Sequence, residues 1–295
     1  MKTGPGRAGS LLEIHGAVVL FGLAGLFGKW LALSPLIIVL GRVVFAALVL
    51  GLILLLTRRP FGISRPGDRL LFLGLGILLA VHWSVFFLSV QVSTVAVGLL
   101  SYSSFPVFTA FLEPAFFRKR LDLFNVLFAG ICLLGVFLIV PRFVWSDAVF
   151  RGVLYGLAAG LTFAVLSIIN RMLTARHDSV KIAFWQDSIA ALALLPFLFI
   201  LRPALTGKDL GLLLFLGIIC TAGAHTLFIE AMRRQTAQTA SIISSLEPVY
   251  GIALAYLFLR EIPAPRTLLG GAVILAAVIV ISLRALRPSP AEKAG

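Results

Sequence analysis

Glu247 stands immediately before Pro248, about halfway along an apolar run that ends at Glu261 and begins with Ser241, Ser244 and Ser245. A carboxylate at such a depth is costly unless it is paired, hydrated or protonated, so acids of this kind face a bundle interior or a wet cavity. The proline removes a backbone donor and loosens the helix around it. A carboxyl group there can bind a proton or a substrate amine. Its bland alternative is a protonated structural acid bonded to a neighbouring helix. The serines are candidate substrate contacts, although serine in such helices often bonds its own backbone carbonyls.

Further polar groups interrupt other apolar runs. Arg42 lies about 10 Å into its run at 1.5 Å per residue. It can hold a substrate carboxylate, pair with an acid, or snorkel to the surface. Asp187, beside Gln186 and Trp185, lies at a comparable depth from the opposite end and is a candidate proton site. His82, next to Trp83, and His225 fall near the centres of their runs, and histidine moves protons near neutral pH. Thr221, one turn before His225, is the expected partner of that ring. Ser101–Pro106 mirrors Ile243–Pro248, which adds Tyr102 and Ser104 to the substrate-contact candidates. Trp185 joins them as an aromatic wall.

Cys132 and Cys220 lie inside apolar runs and read as packing residues, with neither metal spacing nor a disulfide framework. No Gly-x-Ser-x-Gly elbow, His-Glu-x-x-His helix or Walker A motif occurs, so no cofactor, metal or nucleotide is expected. A membrane-embedded enzyme is a remote alternative.

The elements that must position these groups follow from composition. Hydrophobic residues make up 60% of the 295-residue chain and charged residues only 13%, about half the share in soluble domains. The chain reads as an integral membrane protein of the all-α class, with the lipid bilayer as its solvent. The net charge of +13 does not call for nucleic acid, because the basic residues sit in short loops between apolar runs, where they orient a membrane protein.

A spanning helix needs roughly 20 apolar residues. Ten runs qualify, near 11–33, 35–56, 69–91, 94–117, 122–140, 151–172, 179–201, 209–232, 236–259 and 266–285. Placing the N-terminus inside puts about 17 Lys and Arg on the inner side and about 7 outside. Both termini are therefore expected in the cytoplasm. The divisions are an N-terminal tail at 1–10, a five-helix half at 11–140, an outer linker at 141–150, a second half at 151–285 and a C-terminal tail at 286–295.

The halves resemble each other. A shift of 143 lays Leu70–Gly74 on Leu213–Gly217 and His82 on His225, and a shift of 142 lays Pro106–Val107 on Pro248–Val249. Five helices per half make the repeat an inverted one, an architecture of transporters that bind substrate near the midplane. Gly22, Gly25 and Gly28 open the first half and Gly152, Gly156 and Gly160 the second, at spacings that let helices pack closely.

The run Leu246-Glu-Pro-Val, then Leu-Phe-Leu-Arg-Glu261, then Leu-Leu-Gly-Gly271 resembles the closing signature of EamA-type members of the drug/metabolite transporter superfamily. Phe105-Pro-Val-Phe-Thr-Ala, followed by a helix with Gly130 and Gly135, resembles its counterpart in the first half. The resemblance covers essentially the whole chain. The first half departs from it where Arg118-Lys-Arg stands opposite Arg260-Glu261. The resemblance implies a carrier that exports small organic metabolites by alternating access, with halves that rock about a central cavity. YddG-type exporters of amino acids, aromatic ones especially, are among such proteins. A multidrug or toxic-cation exporter and a lipid flippase are the alternatives, and both monomer and dimer are left open.

Overall fold

The computed structural model describes residues 7–63, 65–117, 121, 123–231, 243–244 and 246–285. Ser241, Ser245, the Arg118–Arg120 cluster, Arg233, Arg234, the expected helical start at 236–242 and most of both tails lie outside the described residues. All regular structure within them is helical.

The helices are α1 (Arg7–Trp30), α2 (Pro35–Leu56), α3 (Pro66–Val92), α4 (Val95–Tyr102), α5 (Phe105–Phe117), α6 (Leu123–Ile139), α7 (Ala148–Thr174), α8 (Ser179–Leu201), α9 (Gly207–Gly217), α10 (Ala224–Ala231), α11 (Glu247–Leu259) and α12 (Pro265–Ala285). A π turn, Ile218–Gly223, joins α9 to α10. Their starts follow local chemistry. Proline occupies the first turn of α2 and α3, where its missing N–H costs nothing. Asp147 accepts from Phe150 N at 2.9 Å to cap α7, and Asp178 accepts from Val180 N at 3.0 Å to cap α8. Thr206 and Asp209 form a reciprocal capping box at α9.

Among the described residues seven helical stretches are long and apolar enough to cross a membrane, and three apolar helices, Val126–Ile139, Glu247–Leu259 and Pro265–Val280, are shorter. The run expected as one helix at 94–117 is broken. Ser103 and Ser104 form a turn between α4 and α5, because Pro106 has no N–H to continue the ladder. Helix α11 likewise begins at Glu247, one residue before Pro248.

Packing sorts most of these helices into two mixed groups. Helix α3 lies along α7, which also receives α4 and α5; helix α1 lies along α10 and α11. Helices α2 and α8 form a pair that touches both groups, and α6 and α12 form another over a smaller core that includes Cys132, Ile139 and Ile274. Each group therefore combines segments from both halves of the chain. Moving the sequence halves apart as rigid bodies would break the α3–α7, α2–α8 and α1–α11 contacts.

One close approach sets the second group. A Cβ on Gly22 would fall 2.9 Å from Gly251 N and 3.1 Å from the Glu247 carbonyl, so α1 and α11 meet backbone to backbone beside the acid. At one end of the molecule the two groups are tied together. Lys29 Nζ of α1 donates to the carbonyls of Ser93 at 2.8 Å and Gln91 at 3.3 Å. Glu261, just past α11, accepts from Val95 N and Ala96 N at 3.1 Å each. That carboxylate meets unsatisfied donors at the positive end of α4. The ion pairs at the opposite end run elsewhere. Asp68 of α3 binds Arg176 at 3.0 Å and His177 at 2.8 Å, Arg171 meets Glu113 at 3.6 Å, and Arg59 meets Asp178 at 2.8 Å.

Candidate functional site

Between the two groups lies a cavity. One wall is Leu79, His82, Trp83 and Phe86 of α3, Tyr102 of α4, and Phe163, Leu166 and Asn170 of α7. The facing wall is Phe21 and Ala24 of α1, His225 and Phe228 of α10, and Glu247 of α11. Arg42 enters from α2.

Helical spacing explains the convergence. Phe163, Leu166 and Asn170 recur at three and four residues, as do Leu79, His82, Trp83 and Phe86, so each set occupies one face of its helix. Tyr102 is the last residue of α4 and Glu247 the first of α11, so both proline-linked breaks turn a side chain into the cavity.

Arg42 is 2% exposed. Its Nε–H donates to Thr221 Oγ1 at 2.9 Å, and its guanidinium carbon lies 3.8 Å from the Trp83 ring centre. Stacking on an aromatic face is the accommodation open to a buried cation. Among the described residues neither Asp187 nor Glu247 is within ion-pair distance of it. Glu247 is 3% exposed and its Oε2 has no hydrogen-bond partner among the described residues. The cavity thus holds a guanidinium and a carboxyl group that do not pair with each other.

The two histidines behave differently. His82 Nδ1 lies 2.9 Å from the Ala159 carbonyl and 3.1 Å from Thr162 Oγ1. A carbonyl can only accept, so Nδ1 carries the proton and Nε2 of the neutral ring is an acceptor. His225 stacks edge-on against Trp83, with ring centres 5.6 Å apart, and its Nδ1 has no hydrogen-bond partner among the described residues. Thr221, the partner expected for His225, is instead engaged with Arg42 and with the Leu216 carbonyl. Aromatic rings complete the walls: Phe163 lies 5.4 Å from both His82 and Tyr102 and 5.8 Å from Phe228.

Of the candidates read from the sequence, Arg42, His82, Trp83, Tyr102, His225 and Glu247 come together here. Trp185 lies outside the lining and donates its indole N–H to the Phe61 carbonyl at 2.9 Å. Ser104 is buried outside the lining and donates to the Ser101 carbonyl at 2.7 Å. Ser244 is buried with an unpartnered hydroxyl and is not part of the lining, and Ser245 is outside the described residues. Asp187 is fully buried behind the wall, and both its oxygens lack partners. Its neighbour Gln186 donates to Asn170 Oδ1, which links that region to the lining.

Asn170, Phe21, Phe163 and Phe228 were not singled out. The usable signal was the shared face of Phe163 and Asn170, a polar residue seven positions after an aromatic one within an apolar run. Among the described residues no group of three or more His, Cys, Asp or Glu side chains could hold a metal ion.

The model of the EamA-like transporter family matches residues 10–140 and again 150–283. The chain is 26% identical over 232 residues to the pseudopaline exporter CntI of Pseudomonas aeruginosa, covering 78% of this chain and 80% of that one. It is 25% identical over 193 residues to a probable terminal-alkyne amino-acid exporter of Streptantibioticus cattleyicolor, covering 61% and 62%. A solved crystal structure superposes with a TM-score of 0.68 at 18% identity, covering 96% of this chain and all of the other, which is a likeness of fold.

Proposed function

The chain belongs to the EamA-like transporter family, and from that premise we propose that it is a secondary exporter of zwitterionic organic metabolites, amino acids and their aromatic members foremost. The carrying observation is the pairing of Arg42 with Glu247 across an aromatic cavity. Both are buried, one a guanidinium and the other a carboxyl group, and neither is within ion-pair distance of the other among the described residues. A substrate carboxylate fits the guanidinium, an ammonium fits the carboxylate, and Trp83, Phe86, Tyr102 and Phe163 cover an aromatic side chain. A cationic drug gains nothing from a guanidinium in the wall, which disfavours a toxic-cation exporter. The amino-acid exporter among the relatives is in keeping with this reading.

The membrane arrangement is part of the proposal: ten crossings of the cytoplasmic membrane in two inverted five-helix repeats, with both termini inside. The packing supports it. Exchange each first-half helix for its second-half counterpart and the principal contacts map onto one another. The α3–α7 contact becomes α10–α1, α5–α7 becomes α11–α1, and α2–α8 and α6–α12 map onto themselves. With the N-terminus inside, the end tied by Lys29 and Glu261 faces outward. Alternating access then consists of breaking those ties while the two mixed groups close at the cytoplasmic end. Glu247, Asp187 and His225 are the groups proposed to carry coupled protons, each being buried with at least one unpartnered polar atom.

The test is flux by purified protein in proteoliposomes, across a panel of amino acids and organic cations, with and without a proton gradient. Saturable flux of amino acids supports the reading. Flux confined to organic cations would replace it.

A further inference from the structure

The guanidinium of Arg42 has five N–H donors, and its orientation decides which of them face the cavity. One contact controls that orientation. Nε–H donates to Thr221 Oγ1 at 2.9 Å, and the same hydroxyl donates to the Leu216 carbonyl at 2.7 Å. The single proton of the hydroxyl is committed to Leu216, so its lone pairs are aimed at Arg42. Thr221 is fully buried. It lies in the π turn Ile218–Gly223, and such turns occur often at functional sites. Just before the turn, a Cβ on Gly217 would fall 2.8 Å from the Arg42 carbonyl and 2.6 Å from Phe45 Cβ. The glycine lets α9 touch the α2 backbone, and the widened turn then carries Thr221 to Arg42 from the opposite half of the chain. Trp83 holds the face of the guanidinium from the third side, at 3.8 Å.

We propose that Thr221 is the positioning residue of the binding site: its hydroxyl takes the Nε edge of Arg42 and so presents the other guanidinium N–H groups to an anionic group of the substrate. The role in substrate binding rests on the carboxylate reading of Arg42 given above; the positioning itself does not. The hydroxyl carries the effect, so Thr221→Ser keeps it, while Thr221→Val, of nearly the same shape, removes it and takes from Leu216 and Arg42 the bond that each makes to Thr221.

Two measurements separate the claims. In the full-length protein in nanodiscs, labelled with 15N-arginine, the Arg42 Nε–H resonance is identified by its loss in Arg42→Lys. Thr221→Val is expected to shift this resonance and speed its exchange with water about tenfold, and Thr221→Ser to restore both, as befits a hydrogen bond to a charged group. An unchanged resonance in Thr221→Val overturns the proposal, and no substrate is needed to see it. In proteoliposomes, the selectivity for L-phenylalanine over phenethylamine, which lacks the carboxylate, is expected to fall about tenfold in Thr221→Val and to recover in Thr221→Ser. If Arg42→Ala lowers this selectivity and Thr221→Val does not, the positioning role is wrong. If Arg42→Ala leaves selectivity unchanged, the carboxylate reading fails, and the resonance still decides whether Thr221 holds Arg42.

Discussion

Arg42 lies flat against Trp83, its guanidinium carbon 3.8 Å from the ring centre, on the wall of a cavity whose other wall carries Glu247. Both are buried, and burying a single charge is expensive unless something compensates it. In the membrane-spanning chain the compensation comes from an aromatic face and a threonine hydroxyl. That leaves the cation with binding capacity to spare, which is the condition for it to take a ligand.

Replacing Arg42 with Ala is expected to raise the half-saturation concentration for carboxylate-bearing substrates at least tenfold, about the worth of one charge-assisted hydrogen bond. Decarboxylated analogues should be affected far less. Counterflow in proteoliposomes reads both values, and equal values for wild type and variant would remove Arg42 from the site.

Glu247→Gln keeps the shape of the side chain and removes its proton exchange. The expected result is flux that persists at reduced rate and no longer responds to pH between 6 and 8, a window of roughly two units around neutrality chosen to bracket histidine titration as well. If the variant retains the pH response of the wild type, coupling must be assigned to Asp187 or His225.

The tie at the Lys29 end is expected to be a gate. With Cys132 and Cys220 replaced by Ser, cysteines at Lys29 and Ser93 joined by a short thiol crosslinker should hold the mixed groups together and arrest flux, and cleaving the linker should restore it. Undiminished flux in the crosslinked protein would show that this end does not open during transport.

Much of this was legible because membrane physics writes itself into sequence. Apolar runs of about 20 residues mark helices, and Pro106 and Pro248 mark the two breaks, since a residue without an N–H cannot continue the ladder. Arg42, His82, Trp83, Tyr102, His225 and Glu247 stood out as polar or aromatic groups where lipid would not tolerate most of them, and they meet in one cavity. What depends on long-range geometry was not legible. Nothing near Glu261 indicates that its carboxylate caps α4, 165 residues away. Nothing near Thr221 shows that it serves Arg42, because spacing alone assigned it to His225. Trp185 looked like its aromatic neighbours until its indole was found bonded to a loop carbonyl. The mixing of the halves into two packed groups is likewise a property of the whole contact set.

The α1–α11 crossing gives a stability test. Gly22→Val would drive two methyl groups into the backbone at Gly251 and is expected to destabilise by about 1–3 kcal/mol through overpacking. Gly74→Ala, where a Cβ meets nothing within 4 Å, is the control and should change little. Thermal unfolding in detergent compares the two, and a midpoint for Gly22→Val equal to the control would mean that α1 and α11 do not meet at that point.

The central claim is that the cavity takes a zwitterion between Arg42 and Glu247. Its most direct measurement is uptake of radiolabelled L-phenylalanine and other amino acids by proteoliposomes that contain the purified protein alone, each competed by its decarboxylated amine and its deaminated acid. The account predicts saturable flux for at least one amino acid, with both single-charge analogues competing at least tenfold more weakly. Flux at the level of empty liposomes across the whole amino-acid panel, or competition by the amine or the acid as strong as that by the amino acid itself, would contradict it.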